Sequence, residues 1–204
     1  IIKQIIMKNI FKSILVTIII IGGFSSCSDS DLAIDTLYEE VNTTGSVLRI
    51  LEKPLDLLNN DGEEKSCLCF LVEVQQGDGS FTPDFKEVRV KIELFDNQDA
   101  TPESSYTPNI LYKTIPAESF DVLSEVNKLP SYYIEITIED MIAAFPGIEI
   151  PSGASFIVTN FELEMNELDE DGNNIVWNVS NAGATLSGPY FDSPFSWKTI
   201  YINN

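Results

Sequence analysis

The sequence predicts an all-β protein, an antiparallel β-sandwich with one short crossover helix. Three observations carry this. Apolar and polar residues alternate with a period of two in several runs. Gly, Pro, Asn and Asp cluster between those runs. Only one stretch carries helical start and stop signals.

The strands follow in order. Val88, Val90, Ile92 and Leu94 alternate with Arg89, Lys91, Glu93 and Phe95, a pattern that buries one face of a strand. Tyr132, Ile134, Ile136 and Ile138 do the same against Tyr133, Glu135, Thr137 and Glu139. Phe161, Leu163 and Met165 alternate with Glu162 and Glu164, and Ile175, Trp177 and Val179 answer them. Less regular candidates are Val47–Leu51, Leu68–Val74, Ile110–Thr114, Ser119–Leu123 and Trp197–Ile202. Turn clusters such as Asn59-Asn60-Asp61-Gly62 and Gly77-Asp78-Gly79 separate them. The count is eight or nine strands, with no internal repeat. The helix is short: Thr137 and Asp140 have capping-box spacing, and Pro146-Gly147 stops the turn through Phe145. Antiparallel strands with one crossover helix point to immunoglobulin or fibronectin type III character, as one domain over 44–204. The stretch Asn97–Asn109 is long for such a connection, so two small domains split near it are the structural alternative.

A different pattern precedes the strands. Lys8 and Lys12 follow Met7, Ser13–Phe24 is apolar or small, and Ser25-Ser26 lead into Cys27 with no acidic residue before it. A basic start, a short apolar stretch and small residues before a cut form a secretory signal. With cysteine at the cut, the segment resembles bacterial lipobox signals. That resemblance implies cleavage of residues 1–26 and acylation of Cys27 on its sulfur and new amino group. Residues 1–6 precede the plausible initiator Met7 and are read as upstream sequence. As a membrane span the run is short, since roughly 20 apolar residues are needed. Residues 27–43 form an acidic tether, in which Ser28-Asp29-Ser30-Asp31 is similar to the acidic surface-display signal of Bacteroidota lipoproteins; plain linker composition is the equal alternative.

Charge and composition narrow the function classes. The chain has 12 basic and 32 acidic residues, and Lys3, Lys8 and Lys12 would leave with the signal. Nucleic acid and anionic membrane surfaces are poor partners, and no nucleic acid is expected, because phosphate contacts need clustered Lys and Arg. Solubility and mutual repulsion at a crowded surface explain the balance most simply, with carboxylate binding of divalent cations as the sharper alternative. Hydrophobic content of 44% supports a packed core. Cys67 and Cys69 are expected as two half-buried free thiols, since strand positions i and i+2 lie about 6.5–7 Å apart, at the limit for a disulfide. A zinc site is not expected, with no histidine and no second cysteine pair.

Catalytic constellations are nearly absent from the sequence: paired carboxylates stay open among 32 acidic residues, but that abundance makes any particular pair uninformative. The lack of histidine removes Ser-His-Asp and Cys-His arrangements, and no Gly-rich phosphate loop is present. No enzyme activity and no cofactor are expected. Two constellations remain. Asp169, Asp171 and Asn173 have the one-three-five spacing of calcium loops, but Asn174 stands where the turn glycine belongs and Ser180 where the bidentate glutamate belongs. A hairpin turn is the better reading of this acidic stretch. The second is the aromatic set Trp177, Tyr190, Phe191, Phe195 and Trp197, read first as core or edge plug. If these rings form a ligand platform, Tyr190, Phe191 and Trp197 are its candidates.

Three stretches carry a family resemblance: Thr44–Ile50, Thr137–Gly147 with the strand–acidic turn–strand unit after it, and Ser187–Phe195. They resemble the immunoglobulin-like N-terminal part of Bacteroidota accessory lipoproteins similar to the E component of the starch utilisation system. The resemblance implies an outer-membrane lipoprotein, lipid-anchored through Cys27 and displayed at the cell surface. Its expected partners are outer-membrane lipid, a TonB-dependent transporter complex and a polysaccharide. The expected role is a non-catalytic accessory in glycan or nutrient capture. The alternative is a structural or adhesive surface module that binds another protein.

Overall fold

A computed structural model of the chain describes residues 45–60, 67–77, 79–181 and 195–203. The segments read from the sequence as a leader (1–26) and a tether (27–43, with Cys27), and Tyr190 and Phe191, lie outside the described residues. Residues Thr43–Asn204 form one compact unit.

Among the described residues, ten strands and one α-helix follow one another along the chain. They are β1 (Ser46–Glu52), β2 (Leu57–Asn60), β3 (Cys67–Gln76), β4 (Phe85–Phe95), β5 (Ile110–Pro116), β6 (Val122–Leu123), β7 (Pro130–Thr137), α1 (Ile138–Ala144), β8 (Gly153–Leu168), β9 (Asn174–Trp177) and β10 (Ser196–Asn203). Four strands form one sheet in the order β1-β3-β7-β6. The other sheet runs β2-β10-β8-β4-β5, with β9 also paired to β8. Of these strand pairings, all are antiparallel except β2 with β10. The arrangement is an all-β sandwich of immunoglobulin type. Mapped on that order, β1-β3-β7-β6 is the A-B-E-D sheet and β10-β8-β4-β5 is the G-F-C-C′ sheet.

Strand alternation sets what each sheet buries. On β4, Val88, Val90, Ile92 and Leu94 are fully buried while Glu87, Arg89, Lys91 and Glu93 point outward. Ile157, Phe161, Leu163 and Met165 of β8 meet Leu68, Phe70, Val72 and Val74 of β3 in the same core cluster. At roughly 1.5–3 kcal/mol for each fully buried side chain, this layer is the main source of stability. The core is continuous across the long 97–109 connection. That stretch packs back on β4: Tyr106 N–H donates to the Leu94 carbonyl at 2.7 Å, and Leu94 N–H donates to the buried Thr107 hydroxyl at 2.9 Å.

Helix α1 starts where the capping spacing places it. The Thr137 hydroxyl accepts from Asp140 N–H at 3.1 Å. Ile138, Met141 and the following Phe145 are buried, so the helix closes the passage from β7 to β8 across the sheets. Gly147, at φ +80°, turns the chain out of it.

Three expectations need correction. The Ser119–Leu123 strand is broken: Ala117–Ser119 is a 3₁₀ turn, Phe120 plugs the core, and only Val122–Leu123 pairs. Phe120 leaves the strand because its ring packs edge to face on Phe85 at 5.1 Å. The Asn59-Asn60 segment, read as a turn, belongs to β2, held by parallel pairing with Ile202 and Asn203. Finally, Cys67 and Cys69 form a disulfide. The start of β3 contracts to a Cα–Cα distance of 5.3 Å, within bridging range, and both sulfurs leave the same face.

Candidate functional site

The candidate ligand residues that the structure describes fall into separate places. Phe195 is fully buried core. Trp177 and Trp197 pair with Leu163 and Thr159 of β8, so both rings stand on the inner face at the rim of the core. Lys53 holds its ammonium 4.6 Å from the centroid of Trp197, occupying one ring face. The Trp197 indole N–H and the buried hydroxyls of Thr159 and Thr199 have no hydrogen-bond partner among the described residues. An added Cβ at Gly45 would sit 3.8 Å from the Trp177 ring, so that ring packs where the chain enters β1.

The acidic hairpin is organised from within. Asp169 accepts at Oδ1 from Asp171 N–H at 3.0 Å and from Asn173 N–H at 2.8 Å. The turn closes with Asp169 N–H on the Asn173 carbonyl at 2.8 Å. One carboxylate therefore serves the Asx-type turn between β8 and β9. Among the described residues no three His, Cys, Asp or Glu side chains converge as a metal site would require.

The outer face of the six-stranded sheet carries an ion network. Lys86 Nζ lies 2.6 Å from Glu164 Oε1, and Arg89 reaches Glu87 at 2.9 Å, Glu162 at 3.0 Å and Glu164. Lys91 closes the set on Glu162. Hydrogen bonding from Lys86 holds the Glu164 carboxyl below the usual carboxylate range; burial opposes this and Arg89 reinforces it. Partial burial works against the Arg89 charge, but Glu164 and Glu162 outweigh it and raise its pKa. The positive groups are matched by carboxylates, so the patch braces β4 against β8 and offers no anion site.

The most organised polar site lies on the outer face of the other sheet. Glu73 of β3 is fully buried there, although it points away from the core. A turn folds over it. The Ser124 hydroxyl donates to Glu73 Oε2 and the Asn127 amide to Oε1, each at 2.6 Å. Arg49, directly opposite on β1, brings Nε to 3.5 Å from Oε1. Ser124 N–H donates to the Leu129 carbonyl at 2.9 Å, and Lys128 takes φ +58° to close the loop. A buried carboxylate costs several kcal/mol unless it is paired and hydrogen-bonded, and here both oxygens are served.

Beside this carboxylate the surface dips into a hollow of about 180 Å³. Arg49, Gln75, Asn127, Leu129 and the 79–81 loop line it. Arg49 Nη1 donates to Gln75 Oε1 at 3.3 Å, so guanidinium and amides share a fixed arrangement. At the rim, Phe81 leaves 68% of its surface in water. Local bonds hold that loop: Gly79 N–H donates to the Gln76 carbonyl at 3.1 Å, Thr82 N–H to the Ser80 hydroxyl at 3.1 Å, and Asp84 N–H to Gln76 Oε1 at 3.1 Å. Gly79, at φ +76°, makes the turn.

Sequence reasoning passes over this site. Its one signal is Glu73, a lone acid inside the apolar run Cys67–Val74. Nothing in the sequence joins it to Asn127 or Phe81. No protein-family model matches the chain, and no curated protein matches it either.

Proposed function

We propose that this chain is a non-catalytic lipoprotein held at the outer-membrane surface through Cys27, an accessory to glycan or nutrient capture by a transporter complex. The observation that carries the reading is the lipobox-like run into Cys27, with basic, apolar and small residues in export order. The chain between an acylated Cys27 and Ser46, where β1 begins, would reach about 65 Å at full extension, which lets the sandwich stand clear of the lipid. The sandwich gives such a module a rigid frame whose loops and faces can carry a binding site. A strongly acidic surface favours neutral partners over phosphate-bearing ones.

The test is acyl labelling in the native host, followed by membrane fractionation and affinity purification. The wild type should take up labelled fatty acid, sediment with the outer membrane and co-purify with a TonB-dependent transporter; Cys27→Ala should lose the label. An unlabelled wild type, or one that brings down no transporter and no glycan, overturns the role.

One observation favours the adhesive alternative. Val122, Leu123 and Val126 stand exposed at the β6 edge, an apolar rim of the kind that meets another protein. Co-purification of a surface protein without any transporter would select it.

A further inference from the structure

We infer that the hollow between Arg49, Gln75, Phe81 and Asn127 is a subsite for one neutral sugar ring of a polysaccharide. The inference rests on the glycan-capture reading and names the place where capture occurs.

Three features fit that ligand. The first is size. A hollow of about 180 Å³ is smaller than the 300 Å³ or more typical of drug-sized ligands. A single sugar ring is of the size such a hollow takes.

The second is chemistry. A pyranose offers an apolar C–H face and a rim of hydroxyls that both donate and accept. Phe81 supplies a flat ring at the rim, and its exposure is held by the loop's own hydrogen bonds. Gln75 and Asn127 supply planar amides, and Arg49 adds a planar donor group. Asn127 uses its amide N–H on Glu73, which leaves its carbonyl oxygen as an acceptor. Arg49 uses Nε on Glu73 and Nη1 on Gln75, which leaves Nη2 as a donor.

The third is charge. Glu73 already balances Arg49, and the whole chain is at −20, so the net field around the hollow disfavours an anionic sugar. The buried Glu73 also fixes the geometry in advance, since it holds Arg49 and Asn127 from below. Prior organisation reduces what binding must spend on ordering side chains. One ring in a shallow site binds weakly, on the order of millimolar. A polymer meeting many tethered copies would gain through avidity.

The experiment uses the full chain in detergent, run in native gels containing neutral polysaccharides of glucose, galactose, mannose or xylose, with an acidic polysaccharide for comparison. The wild type should be retarded by at least one neutral polymer, and Phe81→Ala should weaken that retardation about five- to tenfold. Phe81 is exposed, so the variant should melt with the wild type; Gln75→Ala, also exposed, provides a second variant with the same expectation. Equal retardation of wild type and both variants overturns this site while glycan capture stands. Retardation by the acidic polymer alone overturns the neutral ligand. No retardation by any polymer overturns the subsite, and transporter co-purification then decides the wider reading separately.

Discussion

Phe70 on β3 and Phe161 on β8 meet edge to face, with ring centroids 5.2 Å apart and planes at 84°. Both are fully buried. These two strands hold the positions that a disulfide joins in antibody domains. Here the sheets are joined by an aromatic pair instead.

Truncating either ring should therefore be costly. Phe70→Ala should lose about 3–5 kcal/mol, from lost burial plus the cavity left behind. In the double variant with Phe161→Ala, a coupling of about 0.5–1.5 kcal/mol should remain after the single losses are added. Urea unfolding of the four proteins measures both quantities. Fully additive losses would mean that the rings act only as filler.

The Cys67–Cys69 disulfide should matter far less. It encloses one intervening residue, and the loop-closure relation gives about 1.6 kcal/mol for a loop this short, against about 3 kcal/mol for fifteen residues. Reduction should lower the melting temperature by no more than about 6 °C in a domain of this size. A larger drop in a calorimetric scan with reductant would show that the bridge holds more than its own turn.

The sandwich is legible because its strands bury one face each, so polarity has to alternate along Val88–Leu94 and Tyr132–Thr137; Phe95, on the outward register, is buried instead. Helix α1 is legible because a cap and a Pro-Gly stop are local signals. Strand β2 is not, since Leu57–Asn60 is held by Ile200–Asn203, 143 residues further along, and its own sequence has turn composition. The Cys67–Cys69 bridge is hidden because ideal strand spacing holds the two cysteines apart, and only the folded backbone contracts there. The hollow is illegible for a related reason. Arg49, Glu73, Phe81 and Asn127 come from four separate segments, and only folding brings them together.

Glu73 provides a graded test of that assembly. Glu73→Ala removes the acceptor for Ser124, Asn127 and Arg49, and should cost about 2–3 kcal/mol. Arg49→Ala should cost at most about 1 kcal/mol, because its side chain is 43% exposed and its pairing is screened by solvent. Amide hydrogen exchange at Leu129, which donates to the Ser124 hydroxyl, should rise in the first variant and change little in the second. Equal effects would mean that the ion pair, and not the hydroxyl and amide, holds the turn.

The acidic hairpin should answer to its turn chemistry. Asp169→Ala removes the acceptor for two backbone N–H groups and should cost about 1 kcal/mol. Chelator should leave the wild-type melt unchanged. A melt that falls with chelator and recovers with calcium would assign Asp169, Asp171 and Asn173 to a cation instead.

Acid should act on the sandwich through Glu164, and with a sign that can be separated from the bulk charge. Lys86 and Arg89 hold the folded Glu164 carboxyl below its unfolded value, about 4.3. A lowered folded pKa contributes stability that is present above the unfolded value and is lost as pH falls through the folded one. The net charge pulls the opposite way, since neutralising part of a chain at −20 relieves self-repulsion on the same descent. Wild-type stability alone therefore mixes two trends. The difference between wild type and Glu164→Gln isolates one, because the repulsion is nearly common to both. That difference should be positive at pH 7 and shrink as pH drops below about 4. Urea midpoints at pH 7, 5, 4 and 3 measure it, and a difference that does not change with pH would remove Glu164 as the titrating brace between β4 and β8.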